Sequence, residues 1–269
     1  MTFLKPKITI ITVCLNAEKC IENAIKSILN QTYKNIQHVI VDGLSIDSTI
    51  EIVQQYQSKY DQLLLSERDN GIYDAMNKGI KLASGDWIYF LGSDDIFIND
   101  SVISNIFDNN FDVTSQLIYG NVIFNHSGLR YDGKFDSVKI SEKNICHQSI
   151  FYHKDLFKLF GLFDLKYRIC SDHVFNLKCF GSKLNIKYLD IDIAIFNELG
   201  ISGTVIDEQF VKDFDQLLVD NLIVCEKSFS WLIKQNYQIK NSYSFQLAKI
   251  LAYPFNLLKK INVWVLQKF

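Results

Sequence analysis

The chain has 269 residues, 48% of them apolar and 22% charged, with 12 glycines and two prolines. That composition supplies enough apolar side chain for a sizeable core and excludes disordered, collagen-like and low-complexity classes. The formal charge of −2 argues against a charge-driven binder of nucleic acid, but it is the sum of an acidic body and a basic end.

In chain order, Ile8 to Leu15 is an apolar, β-branched run that reads as a fully buried strand. Asn16 stands where a cap for the next helix is expected. In that helix Ile21, Ala24, Ile25, Ile28 and Leu29 recur at i, i+3 and i+4. A short strand over 37–41 ends at Asp42-Gly43. A helix over 49–60 follows, capped by Asp47 or Ser48, then a strand over 63–66. The next helix, 72–83, turns Ile72, Ala75, Met76 and Ile80 to the core, with Asn77 and Lys78 pointing elsewhere. A strand over 86–91 closes this part. The β-α-β-α-β-α-β alternation predicts a mainly parallel sheet between helices. Ligands of such sheets bind beyond the carboxyl ends of the strands.

After Asn99 the pattern changes. Residues 118–125 and 129–135 read as an antiparallel pair around Ser127-Gly128, and 146–152 as a strand. Helices are expected at 155–160 and 172–180, with strands near Ile186 and Ile193 that continue the same sheet. Beyond Asp207 the chain reads as helical. The expected division is one catalytic domain over 1–206, in halves of about 1–98 and 99–206, followed by a helical extension over 207–269.

Polar residues gather at the strand ends. Leu91-Gly92-Ser93-Asp94-Asp95 follows a buried strand, and two adjacent carboxylates there suit a hard divalent cation and a ribose hydroxyl. A solvated loop that caps the next helix is the other reading. Asp42 either accepts hydrogen bonds from a base or sugar or serves the turn before Gly43. Arg168-Ile169-Cys170-Ser171-Asp172-His173 puts a carboxylate at the start of a helix, where capping is the plain alternative. Cys146-His147-Gln148 precedes an apolar strand. No glycine-rich dinucleotide or phosphate loop is present. The six cysteines form no Cys-x-x-Cys pair and no zinc-spaced set with histidine, and no disulfide framework is expected.

In this order and spacing the segments resemble family 2 glycosyltransferases of GT-A fold. The similarity rests on Ile8 to Asn16, Val41 to Thr49, Asp69 to Ile80 and Ser84 to Asp95. His147-Gln148, Ser171-Asp172 and Gly200-Ile201-Ser202 add to it. It covers roughly 6–204 and is nearest to bacterial enzymes of O-antigen and exopolysaccharide repeat units. The resemblance implies an α/β GT-A fold, a Rossmann-like mixed sheet flanked by helices. It implies transfer of a sugar from a nucleoside diphosphate, UDP favoured, to a hydroxyl of a glycan acceptor, with inversion. The acceptor it suggests is carried on a polyprenyl diphosphate. Carried over by motif, Thr12 and Asp42 line the nucleoside pocket, and Arg68, Asn77 and Lys78 lie near the nucleotide and its diphosphate. Asp94 approaches the ribose and Asp95 holds Mn²⁺ or Mg²⁺. Asp172 is the general base, and His147 and His173 are candidates for acceptor or diphosphate contact. The family often has an acidic residue where Gly92 stands. A nucleotidyltransferase of related fold and a non-catalytic nucleotide-sugar-binding module are the rival readings.

Residues 227–269 contain seven lysines and no Asp, Glu or Arg, which leaves 21 basic against 30 acidic residues in the remainder. Leu257, Leu258, Ile261, Trp264 and Val265 share one helical face there. Such a basic, aromatic, amphipathic segment suits an anionic membrane interface, which is the favoured reading; packing on the acidic body of the protein is the alternative. No stretch reaches the ~18 apolar residues of a spanning helix. The expected location is the cytoplasm, at the inner face of the cytoplasmic membrane.

Overall fold

The computed structural model describes residues 5–109, 111–198 and 206–222. Among them, nine strands join in one sheet of order β3-β2-β1-β4-β8-β6-β9-β5, with β7 beside β6. Strands β1 (Ile8–Cys14), β2 (Ile36–Asp42), β3 (Gln62–Ser66) and β4 (Trp87–Phe90) run parallel. They alternate with helices α1 (Ile21–Leu29), α2 (Thr49–Gln54) and α3 (Ile72–Leu82). The switch falls at β4, whose other neighbour, β8 (Ile150–His153), is antiparallel, with Tyr89 opposite Phe151. Strand β6 (Leu117–Phe124) pairs antiparallel with β8 and β7 (Arg130–Tyr131) and parallel with β9 (Ile186–Phe196). The short β5 (Ile96–Phe97) closes the far edge on β9. Helical turn α4 (Val102–Ser104) runs into a π-helical segment at Asn105–Asn109, and helices α5 (Ser137–Glu142), α6 (Asp155–Phe160), α7 (Ser171–Gly181) and α8 (Glu208–Leu222) follow.

Both sheet faces are covered, which is why the central strands read as continuous apolar runs. One face packs Ile11, Val39, Met76 and Phe90 with the aromatic group Tyr152, Phe157, Phe163 and Phe175. The other packs Ile10, Ile28, Trp87, Tyr89, Phe107 and Phe151. All four residues of β4 are buried, so the chain that leaves it is fixed in place at the sheet's switch point.

Several expected boundaries move, each for a local reason. Helix α2 ends at Gln54, because the N–H groups of Tyr56, Gln57 and Lys59 bond three residues back instead of four, which keeps Tyr56 buried. Residues 147–149 form a tight turn, with Ser149 N on Cys146 O at 2.9 Å, so the strand begins only at Ile150. The two strands expected near Ile186 and Ile193 are one, irregular where it passes Asn121, whose Nδ2 donates to Ile191 O at 3.2 Å. Asn16 does not cap α1. It sits at φ +52°, and its Oδ1 accepts from Ile46 N at 2.9 Å, tying two loops together. On α3, Ile72 is exposed and Tyr73 takes the buried place. That helix starts from Gly71, whose φ of +119° is accessible in practice to glycine alone.

The compact unit extends through α8 to Leu222. Leu218 and Leu222 are buried there, and Phe210 and Phe214 pack on His173 of α7. The five described cysteines are free thiols. Among the described residues no helix is long and apolar enough to cross a membrane. Gly200-Ile201-Ser202, Cys225 and the basic segment 227–269 lie outside the described residues.

Candidate active site

The loop leaving β4 carries the paired carboxylates. Asp94 is exposed and accepts from Asn197 Nδ2 at 2.8 Å. Asp95 is 1% exposed; its Oδ1 accepts from Asn197 N at 2.8 Å and its Oδ2 from Gln148 Nε2 at 2.6 Å. Burial raises its pKa to about 7, and the neighbouring Asp94 adds to the rise against the pull of those hydrogen bonds. A Cβ on Gly92 would lie 2.3 Å from Asp95 Oδ2. Any side chain at position 92, acidic or not, would therefore displace Asp95 as it is placed here.

The chemistry of the pair is compatible with a divalent cation. Among the described residues no positive side chain pairs with these two adjacent acids, one of them buried, and a cation beside them would relieve both desolvation and repulsion. Among the described residues no group of three or more His, Cys, Asp or Glu forms a protein cage. The donor set is that of a Mg²⁺- or Mn²⁺-type site, in which one or two carboxylates share the ion with substrate phosphates and water.

Asp42, at the carboxyl end of β2, is completely buried. Its carboxylate accepts from Leu44 N at 3.0 Å, Ser45 N at 3.1 Å, Ser66 Oγ at 2.7 Å and the Ser45 hydroxyl. It thereby shapes the loop in which Leu44 adopts φ +67°, a conformation unusual for an apolar residue. Thr12 is also fully buried, and its hydroxyl pairs with His38 Nε2 at 3.0 Å between β1 and β2. It lies beneath the strand ends rather than on an open wall.

The run after β3 divides. Arg68 is exposed, and its carbonyl accepts from Lys78 Nζ at 2.6 Å, while that ammonium also meets Glu67 at 3.0 Å. Asn77 points inward instead. Its Nδ2 donates to Phe163 O at 2.8 Å and its Oδ1 accepts from Phe163 N at 2.9 Å. The amide is 6% exposed and clamps the loop after α6 onto α3.

Asp172 lies in the first turn of α7, 7% exposed. Its Oδ1 accepts from Tyr73 Oη at 2.7 Å and from His173 N at 2.9 Å, and its Oδ2 from Asn144 Nδ2 at 2.9 Å. His147 Nδ1 stands 3.7 Å from Oδ2. Burial lowers the pKa of that imidazole, while Asp172 and then Asp94 act to raise it. His147 and Gln148 are consecutive, so one tight turn touches Asp172 with its first side chain and Asp95 with its second. This turn joins the two carboxylate centres. The His173 imidazole turns away from the Asp172 carboxylate that its own backbone N–H meets. Its Nε2 bonds Ile140 O at 2.8 Å and its ring packs on Phe210 and Phe214. Adjacent residues on a helix point about 100° apart, so the carboxylate faces the site and the imidazole faces α8.

Sequence reasoning overlooked Tyr73, Asn144 and Asn197 as contacts of the acidic residues. Tyr73 lay within the motif Asp69 to Ile80, but Asn144 and Asn197 sit in segments without a periodic or motif signal.

A parallel nucleotide-type half that ends in paired acids, joined across one sheet to a half that carries a buried acid, is the layout of a GT-A glycosyltransferase. The chain belongs to glycosyl transferase family 2, whose family model matches residues 9–159. Asp172 lies beyond that span. A PGL/p-HBAD biosynthesis glycosyltransferase of Mycobacterium bovis (strain BCG / Pasteur 1173P2) is 36% identical over 214 residues, 77% of this chain and 83% of that protein. The fold is similar to S. aureus TarS, of which the chain spans 44%, with a TM-score of 0.73 and 19% identity over 88% of this chain. Against TarS 1–349 in complex with UDP the TM-score is 0.75, at 19% identity, over 93% of this chain and 76% of that one. The mannosyltransferase PcManGT of Pyrobaculum calidifontis, in complex with GDP-Man and Mn²⁺, aligns with a TM-score of 0.61 and 12% identity, over 93% and 84%. The chain is therefore a glycosyltransferase, which sets aside both rival readings.

Proposed function

We propose that this glycosyltransferase moves a sugar from a nucleoside diphosphate, UDP favoured, to a hydroxyl of a glycan acceptor, inverting the anomeric carbon. The acceptor in this reading is carried on a polyprenyl diphosphate at the inner face of the cytoplasmic membrane, with 227–269 as the membrane contact. One observation carries the chemistry: His147-Gln148 links the buried acid Asp172 to the pair Asp94-Asp95. UDP in the TarS complex and GDP-Man with Mn²⁺ in the PcManGT complex support a nucleotide-sugar donor and a divalent ion.

In this mechanism Asp172 takes the proton of the acceptor hydroxyl. The acceptor oxygen bonds to the anomeric carbon from one face. The bond from that carbon to the diphosphate oxygen breaks on the other, and its electron pair leaves with the nucleoside diphosphate. Asp95 and Asp94 would hold the metal and the ribose, and a bound Mn²⁺ or Mg²⁺ would neutralise charge on the departing diphosphate. His147, beside Asp172 and next in sequence to the Gln148 that bonds Asp95, is placed to contact the acceptor or the diphosphate. Asp42 holds the loop that would border the base, while Arg68 and Lys78 supply positive charge at the same rim. An inverting displacement needs a single base and no carboxylate nucleophile.

The test is nucleotide release from a panel of UDP-, GDP- and dTDP-sugars with a polyprenyl-diphosphate-linked acceptor and Mn²⁺. Asp172→Asn is expected to lower transfer roughly 10²- to 10⁴-fold, with nucleotide affinity changed less than about threefold. Loss of both in equal measure would show that Asp172 serves binding rather than proton transfer.

A further inference from the structure

A line of neutral side chains runs from the core to Asp172, and each donor in it points toward the carboxylate. Tyr152 Oη donates to Asn176 Oδ1 at 2.9 Å; Asn176 Nδ2 donates to Asn144 Oδ1 at 2.8 Å; Asn144 Nδ2 donates to Asp172 Oδ2 at 2.9 Å. Tyr152 and Asn176 are completely buried, on β8 and α7. Asn144 sits on the irregular segment between α5 and the 147–149 turn, half-buried.

The direction of the line follows from bonding rules. A phenol carries one proton. With that proton on Asn176 Oδ1, the Asn176 amide must present its nitrogen to Asn144. Asn144 then has its oxygen occupied and must turn its own nitrogen to Asp172. Reversing Asn144 would set two amide nitrogens against each other at the Asn176 end and a carbonyl oxygen against the carboxylate at the other. Each such mismatch in a buried place costs the desolvation of an unpaired group.

On the opposite side, Tyr73 Oη lies 2.7 Å from both Asp172 Oδ1 and Ile169 O; its one proton is divided between these two acceptors, and the phenol holds the carboxylate against α3. Asp207, just ahead of α8, accepts from Ile169 N at 2.9 Å and Cys170 N at 3.3 Å and so anchors the turn before α7. A carboxylate gripped on both oxygens keeps little rotational freedom, and its remaining lone pair is aimed.

We propose that Tyr152, Asn176 and Asn144 form a polarised positioning relay that fixes the orientation of Asp172 for proton transfer. The proposal rests on Asp172 being the base. None of the three is a catalytic residue: they act through Asn144 on the carboxylate. Misplacing a reacting group by about 1 Å costs on the order of 10²-fold in rate, so the relay's removal acts on turnover.

The experiment uses the full chain and whichever member of the panel of UDP-, GDP- and dTDP-sugars releases nucleotide fastest with the polyprenyl-diphosphate-linked acceptor. Asn144→Ala and Asn176→Leu are each expected to lower kcat roughly 10- to 100-fold, with KM for the sugar nucleotide within about twofold. The double variant is expected to fall no further than the worse single one, because both break one series of bonds. Tyr152→Phe, which keeps the ring and removes only the hydroxyl, is expected to lower kcat about threefold with the same KM, and it stands in if Asn176→Leu does not fold. A crystal structure of Asn176→Leu is expected to show the Asn144 Nδ2 to Asp172 Oδ2 contact lengthened or the amide reversed. Unchanged kcat in Asn144→Ala, or losses that multiply in the double variant, would overturn the relay. If Asp172→Asn retains full transfer in the same assay, the base assignment fails instead. If Asp172→Asn is inactive and Asn144→Ala is normal, only the relay fails.

Discussion

Asp95 and Asp172 are both buried acids, yet their surroundings differ in kind. Asp95 has a like charge for a neighbour and is pushed up to about 7, first by burial and then by Asp94. Asp172 is met by a phenol, an amide and a backbone N–H, all neutral donors. The first arrangement suits a cation and the second suits an acid whose orientation matters. A third buried titratable group, His38, bears on stability. Its ring lies between Thr12 and Tyr60, and burial alone lowers its pKa from 6.5 to about 3. Between those values the unfolded chain binds a proton that the folded chain refuses. Stability is therefore complete above about pH 6.5 and declines as pH falls toward 3. At about 1.4 kcal/mol per unit, the decline is on the order of 5 kcal/mol at the acid end. Urea unfolding of wild type and His38→Gln from pH 7 to 4 checks it. The stability difference between them should shrink with falling pH, and a flat difference would mean that His38 titrates as an exposed histidine. The sequence offered Asp94 and Asp95 as acids after a strand end and Asp172 as an acid at a helix start. It could not separate Asn77 or His173 from them, because residue type and spacing are blind to which way a buried amide or imidazole turns.

Among the elements, α3 shows how a motif can be structural. Ala75, Met76 and Gly79 lie against the sheet, and Asn77, polar but buried with them, serves as a two-bond latch on Phe163. Asn77→Ala would strip Phe163 of both bonds inside the core. A loss of about 2–3 kcal/mol is expected, measured by urea denaturation, with donor KM within about threefold of wild type. A large rise in KM at unchanged stability would instead restore Asn77 to the nucleotide. Strand and helix identities in 8–91 were legible because each is decided by local periodicity and one buried face. The later half was less so. Irregularity opposite Asn121 broke β9 into two apparent strands, and a turn closed by Ser149 delayed β8. Both are set by bonds to residues distant in sequence or by backbone geometry that composition does not encode.

For the whole molecule, the uneven charge remains the feature that the catalytic unit does not absorb. The seven lysines of 227–269 lie outside the described residues, and the membrane reading of that segment is a prediction to be tested directly. Full-length protein is expected to float with vesicles rich in phosphatidylglycerol and to lose that property at high salt, since ~1 kcal/mol per lysine near an anionic surface is electrostatic. A chain ending at Glu226 is expected to stay in the soluble fraction. Equal flotation of the two would remove the segment from membrane contact.

By itself the sequence determined the parallel half, its apolar strands, the helices between them and the acids that follow the strands. Those depend on period and capping, and both are local. The tertiary structure decided which acids meet. Asp95 follows β4 and Asp172 opens α7, and only the antiparallel pairing of β4 with β8 brings His147-Gln148 between them. It also decided that Asn144 and Asn176 belong beside Asp172, because hydrogen bonds are directional over about 3 Å and their partners are chosen by packing, not by distance along the chain.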